Sequence, residues 1–146
     1  GAYAWTAEVL TVGDGDSFTV RRDGRTHKVR LYGIDSPELG QAHGRNAREL
    51  ARAWLQGRRV EVEPMYQDKF GRTVALVWVG ERLLNEELVR SGAAWVSPKF
   101  CQSRRVCDRM FDIQEKARQA RLGLWRDARP EPPWQWKRRH PQGARR

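Results

Sequence analysis

The sequence predicts an α+β fold that is mainly β: a five-stranded Greek-key barrel packed with about three helices. Three observations predict it. Residues 7–34 break at Asp-Gly pairs into short runs of alternating apolar and polar residues. Two more β-rich runs follow a stretch of helical spacing, and the last third of the chain is again helical in its spacing. At 146 residues the chain is long enough for one core without metal or disulfide staples.

The elements follow in order. AEVLTV, SFTVRR and THKVRLYGI read as three strands, with Asp14-Gly15 and Asp23-Gly24 as hairpin turns whose glycines supply positive φ. In GRNARELARAWL, residues Ala47, Leu50, Ala51, Trp54 and Leu55 share one helical face. RRVEVE (58–63) alternates as a half-buried strand, and TVALVWV (73–79) is the nearly all-apolar run of a buried one. Leu84, Leu88 and Val89 mark a short helix that Gly92 ends. Val106, Met110, Ile113, Ala117, Ala120 and Leu124 form the stripe of a longer one, with Gly123 near its end. Three strands, a helix, two strands and then helices is the order of an OB-fold barrel. Residues 1–126 form this domain. Residues 127–146 are a basic tail whose four prolines predict neither helix nor central strand. Trp134 and Trp136 are expected to pack back on the domain, with the last ten residues mobile.

Twenty-eight Lys and Arg against eighteen Asp and Glu leave a net charge of +10. Such a surface favours polyanions: nucleic acid, anionic membrane or heparin-like polymers. The last ten residues, KRRHPQGARR, hold five of the positive charges and no acid, so half the net charge lies in the tail. No run approaches the roughly 18–20 apolar residues that span a membrane. The two cysteines, Cys101 and Cys107, exclude a four-cysteine zinc site, and the three histidines are scattered. Their spacing favours a local disulfide over two buried thiols. That bridge would add roughly 2–3 kcal/mol and imply an oxidising compartment.

Three segments concentrate charge where strands meet turns: Gly13-Asp14-Gly15-Asp16-Ser17, VRLYGIDSPE (29–38) and Asp68-Lys69-Phe70-Gly71-Arg72. Each alone is an ordinary turn. Together they supply what metal-assisted phosphodiester cleavage requires: cations for the phosphoryl oxygens, a metal, and a base to activate water. Arg30 and Arg72 offer planar charged forks that match phosphate. Asp16 and Asp35 are hard oxygen ligands suited to Ca²⁺ or Mg²⁺. Glu38 could take a proton from water.

GDGDSFTV, VRLYGIDSPE, DKFGRTVALVWV and LLNEELVRSGAAWV, in that order across about residues 7–126, resemble the staphylococcal (micrococcal) nuclease family. The resemblance implies Arg30, Glu38 and Arg72 as catalytic residues. It implies Asp16 and Asp35 as calcium carboxylates, Ser36 as a carbonyl ligand, and Asp14 as an aspartate beside them. Lys69 and Phe70 fall on the substrate-binding turn. The implied activity is calcium-dependent cleavage of DNA and RNA, preferentially single-stranded or frayed, by a monomer that leaves 3′-phosphate ends. The chain departs from the best-known member in four places. Ser36 replaces a threonine and Phe70 a tyrosine, the loop after Glu38 (LGQAHGR) lacks a longer lysine-rich stretch, and residues 97–100 offer no nucleotide-stacking tyrosine. The cysteine pair and the PPWQW tail look like exported bacterial members, implying a periplasmic or secreted location.

Two other readings compete. A nuclease-like module could bind nucleic acid or protein without catalysis, although it would have no chemical need for all five of Arg30, Glu38, Arg72, Asp16 and Asp35. Alternatively, the basic tail could be an electrostatic tether. Deleting residues 137–146 is then expected to weaken binding and its salt sensitivity while preserving the rate at saturating substrate.

Overall fold

The computed structural model describes residues 3–141. In chain order the strands β1 (Trp5–Val12), β2 (Ser17–Arg22), β3 (Arg25–Leu31) and β4 (Ile34–Asp35) precede helix α1 (Gly44–Leu55). Strands β5 (Arg59–Gln67), β6 (Thr73–Val79) and β7 (Arg82–Leu83) follow, then α2 (Leu84–Arg90), β8 (Trp95–Val96), α3 (Arg104–Gln119) and α4 (Pro133–Arg139). β1, β2 and β3 form an antiparallel meander, β5 pairs back on β1, and β6 pairs with β5. A parallel pairing of β3 with β6, Val29 opposite Thr73 and Arg30 opposite Val74, closes the five long strands into a barrel. This is the expected OB-fold.

Alternation along β2, β3 and β5 sends Val20, Val29, Leu31, Val60 and Val62 into a fully buried core, and β6 is buried on both faces, through Leu76 and Val77. Removing such side chains from water is the main favourable term in folding, about 1.5–3 kcal/mol each. α1 adds Ala47, Ala51 and Leu55, with Leu50 and Trp54 half-buried at its margin. α2 adds Leu84, Leu88 and Val89, and α3 adds Val106, Met110 and Ile113. Among the described residues no helix is long and apolar enough to cross a membrane.

Four details correct the sequence reading. The third strand does not run on through Ile34. It stops at Leu31, turns at Gly33 (φ 77°), and Ile34–Asp35 pairs instead with β8. Asp14-Gly15 is not a positive-φ hairpin turn, because Gly15 is absent from the left-handed positions. Its missing side chain matters differently: a Cβ there would lie 2.7 Å from Ser36 Cβ and 2.9 Å from Ala47 Cβ. α3 ends before Ala120, which is exposed, because the backbone turns left-handed at Arg121 (φ 54°) and Gly123 (φ 53°). Leu124 is nevertheless buried, in a second small cluster with Ala117 and Trp125.

The fourth correction is the tail, which contains a helix. Pro132 is the cap residue and Pro133 opens α4. Proline at the first helical position removes only an N–H that has no intrahelical partner, so these prolines start the helix rather than break it. Trp134 packs edge-on against Trp95 at 5.7 Å, and Trp95 in turn lies 4.5 Å from Trp125. The expected packing of the tail tryptophans is therefore met, and Lys137, Arg138 and Arg139 are ordered in α4. Residues 142–146 of the tail expected to be mobile lie outside the described residues.

Candidate active site

The end of β3 is built around Arg30. Its Nη1 donates to the carbonyls of Leu31 and Ile34, both at 3.0 Å, and so brackets the turn at Gly33. Its Nη2 faces Asp35 Oδ1 at 3.4 Å and Asp16 Oδ2 at 3.7 Å. The Arg30 side chain is 19% exposed. Arg30 thus fixes the turn that delivers Asp35 and sets its one charge against two carboxylates. Pairing of Asp35 with Trp95 in β8 holds the other side of β4.

Asp16 arrives from the β1–β2 loop. Asp14 Oδ1 accepts from the Asp16 N–H at 3.0 Å and from Ser17 Oγ at 2.8 Å, tying the loop to itself. Asp16 Oδ2 accepts from the Ser36 N–H at 2.8 Å, which joins this loop to β4. The bare Gly15 permits that approach.

Glu38 lies just beyond β4. Its N–H donates to Gln41 Oε1 at 3.1 Å, and its carbonyl accepts from the Gln41 N–H at 2.8 Å. The chain then enters α1 at Gly44, where any Cβ would collide with the Glu38 carbonyl. The Glu38 carboxylate receives Lys137 of α4: Nζ is 3.0 Å from Glu38 Oε1 and 3.9 Å from Asp35 Oδ1.

Four carboxylates therefore share two cations. Burial, then the charge of Asp16, pushes the Asp35 carboxyl up to about 7. The same causes push Asp14 up to about 7. Burial would raise Asp16 as well, but the Arg30 guanidinium holds it below the ordinary carboxylate range. Asp16 in turn raises Arg30. Such an excess of buried hard oxygen suits a hard cation. Among the described residues no three His, Cys, Asp or Glu side chains form a ready metal cage. A cation placed here would meet the Asp16 and Asp35 carboxylates that face Arg30, with Ser36 beside them.

The turn at 68–72 is a separate structure, with Lys69, Phe70 and Gly71 exposed and Asp68 and Arg72 half-buried. Asp68 accepts from the N–H groups of Phe70 and Arg72 at 2.9 and 3.0 Å, and from Arg72 Nε at 2.8 Å. Burial opposes it, but these bonds hold Asp68 below the usual carboxylate range. Phe70 is 70% exposed, with Lys69 Nζ 5.3 Å and the Arg72 guanidinium 5.5 Å from its ring centroid. Arg72 precedes β6, two residues ahead of the Val74 that faces Arg30 in register, but its ion-pair partner is Asp68 rather than the buried cluster. The structure brings Arg30, Asp14, Asp16, Asp35, Ser36 and Glu38 together, and leaves Lys69, Phe70 and Arg72 on a neighbouring rim.

Residues 28–127, which include the Arg30–Glu38 segment and this turn, match the family described as "Staphylococcal nuclease homologue". The chain belongs to the staphylococcal nuclease family. An "Uncharacterized endonuclease" of Escherichia coli is 35% identical over 133 residues, 90% of this chain and 84% of its own. The "Micrococcal nuclease" of Shigella flexneri is 33% identical over 147 residues, 92% of this chain and 83% of its own. The "Thermonuclease" of Staphylococcus hyicus is 30% identical over 129 residues, 82% and 75% of the two chains.

This family member also relies on residues that sequence reasoning missed. Asn85 is fully buried: Oδ1 accepts from the Val77 N–H at 3.0 Å, and Nδ2 donates to the Tyr32 and Ala75 carbonyls at 3.0 and 3.2 Å. It ties α2 to the middle of β6 and to the turn after β3, and nothing in LLNEELV sets it apart from the two glutamates that follow. The Tyr32 hydroxyl accepts from the Gln102 and Ser103 N–H groups at 3.0 and 2.9 Å, steadying the entry to α3. Cys101 and Cys107 are joined in a disulfide, and Cys101 Sγ would lie 2.6 Å from a Cβ on Gly33. The bridge thus packs directly behind the turn that Arg30 brackets. Gln41 and Lys137 carried no sequence signal.

Proposed function

We propose that this protein is a calcium-dependent, sugar-non-specific endonuclease that hydrolyses phosphodiester bonds of DNA and RNA, preferring single-stranded or frayed substrate. The observation that carries this reading is the convergence of Arg30, Asp16, Asp35 and Glu38 at one end of the barrel. Glu38 takes a proton from water, and the water oxygen forms a bond to phosphorus. The bond from phosphorus to the 5′-oxygen breaks, that oxygen takes a proton from solvent, and a 3′-phosphate remains. Arg30 and Arg72 clamp the phosphoryl oxygens, where negative charge accumulates. Asp16, Asp35 and the Ser36 carbonyl would hold calcium, which when bound would supply further electrostatic stabilisation of that charge. Asp14 keeps the Asp16 loop in shape, and Lys69 and Phe70 grip the strand through charge and base stacking. The disulfide supports export to the periplasm or medium.

The test is incubation of the purified protein with single-stranded DNA and RNA, with calcium or with chelator, followed by analysis of the new ends. Calcium-dependent cleavage to 3′-phosphates is expected. Binding without cleavage in either condition would return the protein to a non-catalytic nucleic-acid-binding module.

A further inference from the structure

We propose that residues 131–139 are part of the active site, with Lys137 a positioning residue that holds the Glu38 carboxylate. This rests on the reading of Glu38 as the base. The loop after Glu38 is short, and the structure shows what steadies it instead. Gln41 Oε1 accepts the Glu38 N–H, while Gln41 Nε2 donates to the Glu131 carbonyl at 2.7 Å. The backbone of the base is thereby relayed to the C-terminal segment. Trp136 lies over Gly40, 3.5 Å from where a Cβ would stand. His43 Nε2 sits 3.0 Å from Asp127 Oδ2, a third tie between this loop and the C-terminal region besides the Lys137–Glu38 pair.

The segment is itself pinned. Arg139 closes on Glu131 through two bonds of 2.9 and 2.6 Å, and Trp134 packs on Trp95. Lys137 is therefore presented from a fixed helix. Its ammonium is the ion-pair partner of the Glu38 carboxylate, and among the described residues no other side chain pairs with that group. The ammonium lies within hydrogen-bond distance of Glu38 alone, and Asp35 at 3.9 Å feels its charge without a bond. At 38% and 20% exposure the pair adds little to stability. Its contribution is the orientation of a carboxylate that would otherwise rotate freely. Deleting residues 137–146 should thus lower the rate at saturating substrate, contrary to the expectation for a mere tether.

Steady-state kinetics on a single-stranded oligonucleotide with calcium test this with Lys137→Met, Lys137→Arg, Glu38→Gln and the Lys137→Met/Glu38→Gln double variant. Lys137→Met should lower kcat about tenfold, part of the roughly 10²–10⁴ that a positioned base supplies, with KM within about twofold. Lys137→Arg should recover most of the loss. In the Glu38→Gln background Lys137→Met should change the rate by less than about twofold, because the carboxylate it positions is gone. An unchanged or raised kcat in Lys137→Met, or its full loss repeated on top of Glu38→Gln, would overturn the proposal. A parent that does not cleave, or a fully active Glu38→Gln, overturns the base assignment instead. Amide hydrogen exchange reads the positioning without activity: residues 38–44 should exchange faster in Lys137→Met and in Gln41→Leu, with β1–β6 unchanged. Unaltered exchange there would count against the proposal whatever the kinetics.

Discussion

The same two residue types, arginine and aspartate, are paired at the end of β3 and in the 68–72 turn, and their surroundings make them different devices. Arg30 faces Asp35 at 3.4 Å inside a buried group of carboxylates, and Asp35 is pushed up to about 7. Arg72 meets Asp68 at 2.8 Å on the rim, and Asp68 is held below its usual range. The rim pair is satisfied by its own bond and by the backbone N–H groups of Phe70 and Arg72. The buried pair has more negative charge than its cations neutralise, which is what leaves capacity for a further cation. Chemistry is accordingly expected in the buried group, with Arg72 serving it from the rim as a phosphate clamp, and grip from Lys69 and Phe70.

The largest expected effects come from the buried side. Glu38→Ala and Arg30→Ala should each lower kcat by about 10²–10⁴-fold, measured at saturating oligonucleotide with calcium. Arg72→Lys keeps the charge but loses the planar fork, and should cost about 10²-fold in kcat. If it cost nothing, Arg72 would belong wholly to the rim and the comparison would sharpen into chemistry against binding.

Smaller, and independent of turnover, is the stability of the cation-free protein. The Asp35 carboxyl goes from 3.8 when unfolded to about 7 when folded, so the native state keeps its proton longer. Its stabilising effect is complete below about pH 4 and is lost as pH rises through 7, as Asp35 ionises among Asp16, Glu38, Arg30 and Lys137. In chelator, Asp35→Asn should therefore gain over the parent between pH 4.5 and pH 8, by on the order of 1–4 kcal/mol in denaturant melts. Parallel pH profiles would remove the charge-excess account of the cluster. Least severe is Phe70→Ala, which should raise KM about five- to tenfold through lost stacking, with kcat unchanged. A loss in kcat instead would place the rim in the chemistry.

Much of this was legible in the sequence because period and turn chemistry agree with burial. α1 was bounded as observed, and one decapeptide, VRLYGIDSPE, contains Arg30, Asp35 and Glu38 together. What escaped depends on where residues stand in three dimensions. Proline density was read as excluding a helix, yet prolines precede α4 rather than interrupt it. Gly15 looked like a turn glycine and serves a close approach to Ser36 and Ala47. Lys137 looked like one of many tail charges. Its place beside Glu38 follows from the Trp95–Trp134 contact and the Gln41–Glu131 bond, neither of which leaves a periodic signal.

The claim that the buried carboxylates form a divalent-cation centre is tested most directly by calorimetric titration of calcium into the parent and into Asp16→Asn, with circular dichroism confirming that both are folded. The account predicts one calcium ion per parent chain and affinity at least about tenfold weaker in Asp16→Asn, a loss of about 1.4 kcal/mol or more. Identical isotherms for the two proteins, or no calcium binding by the parent, would contradict it.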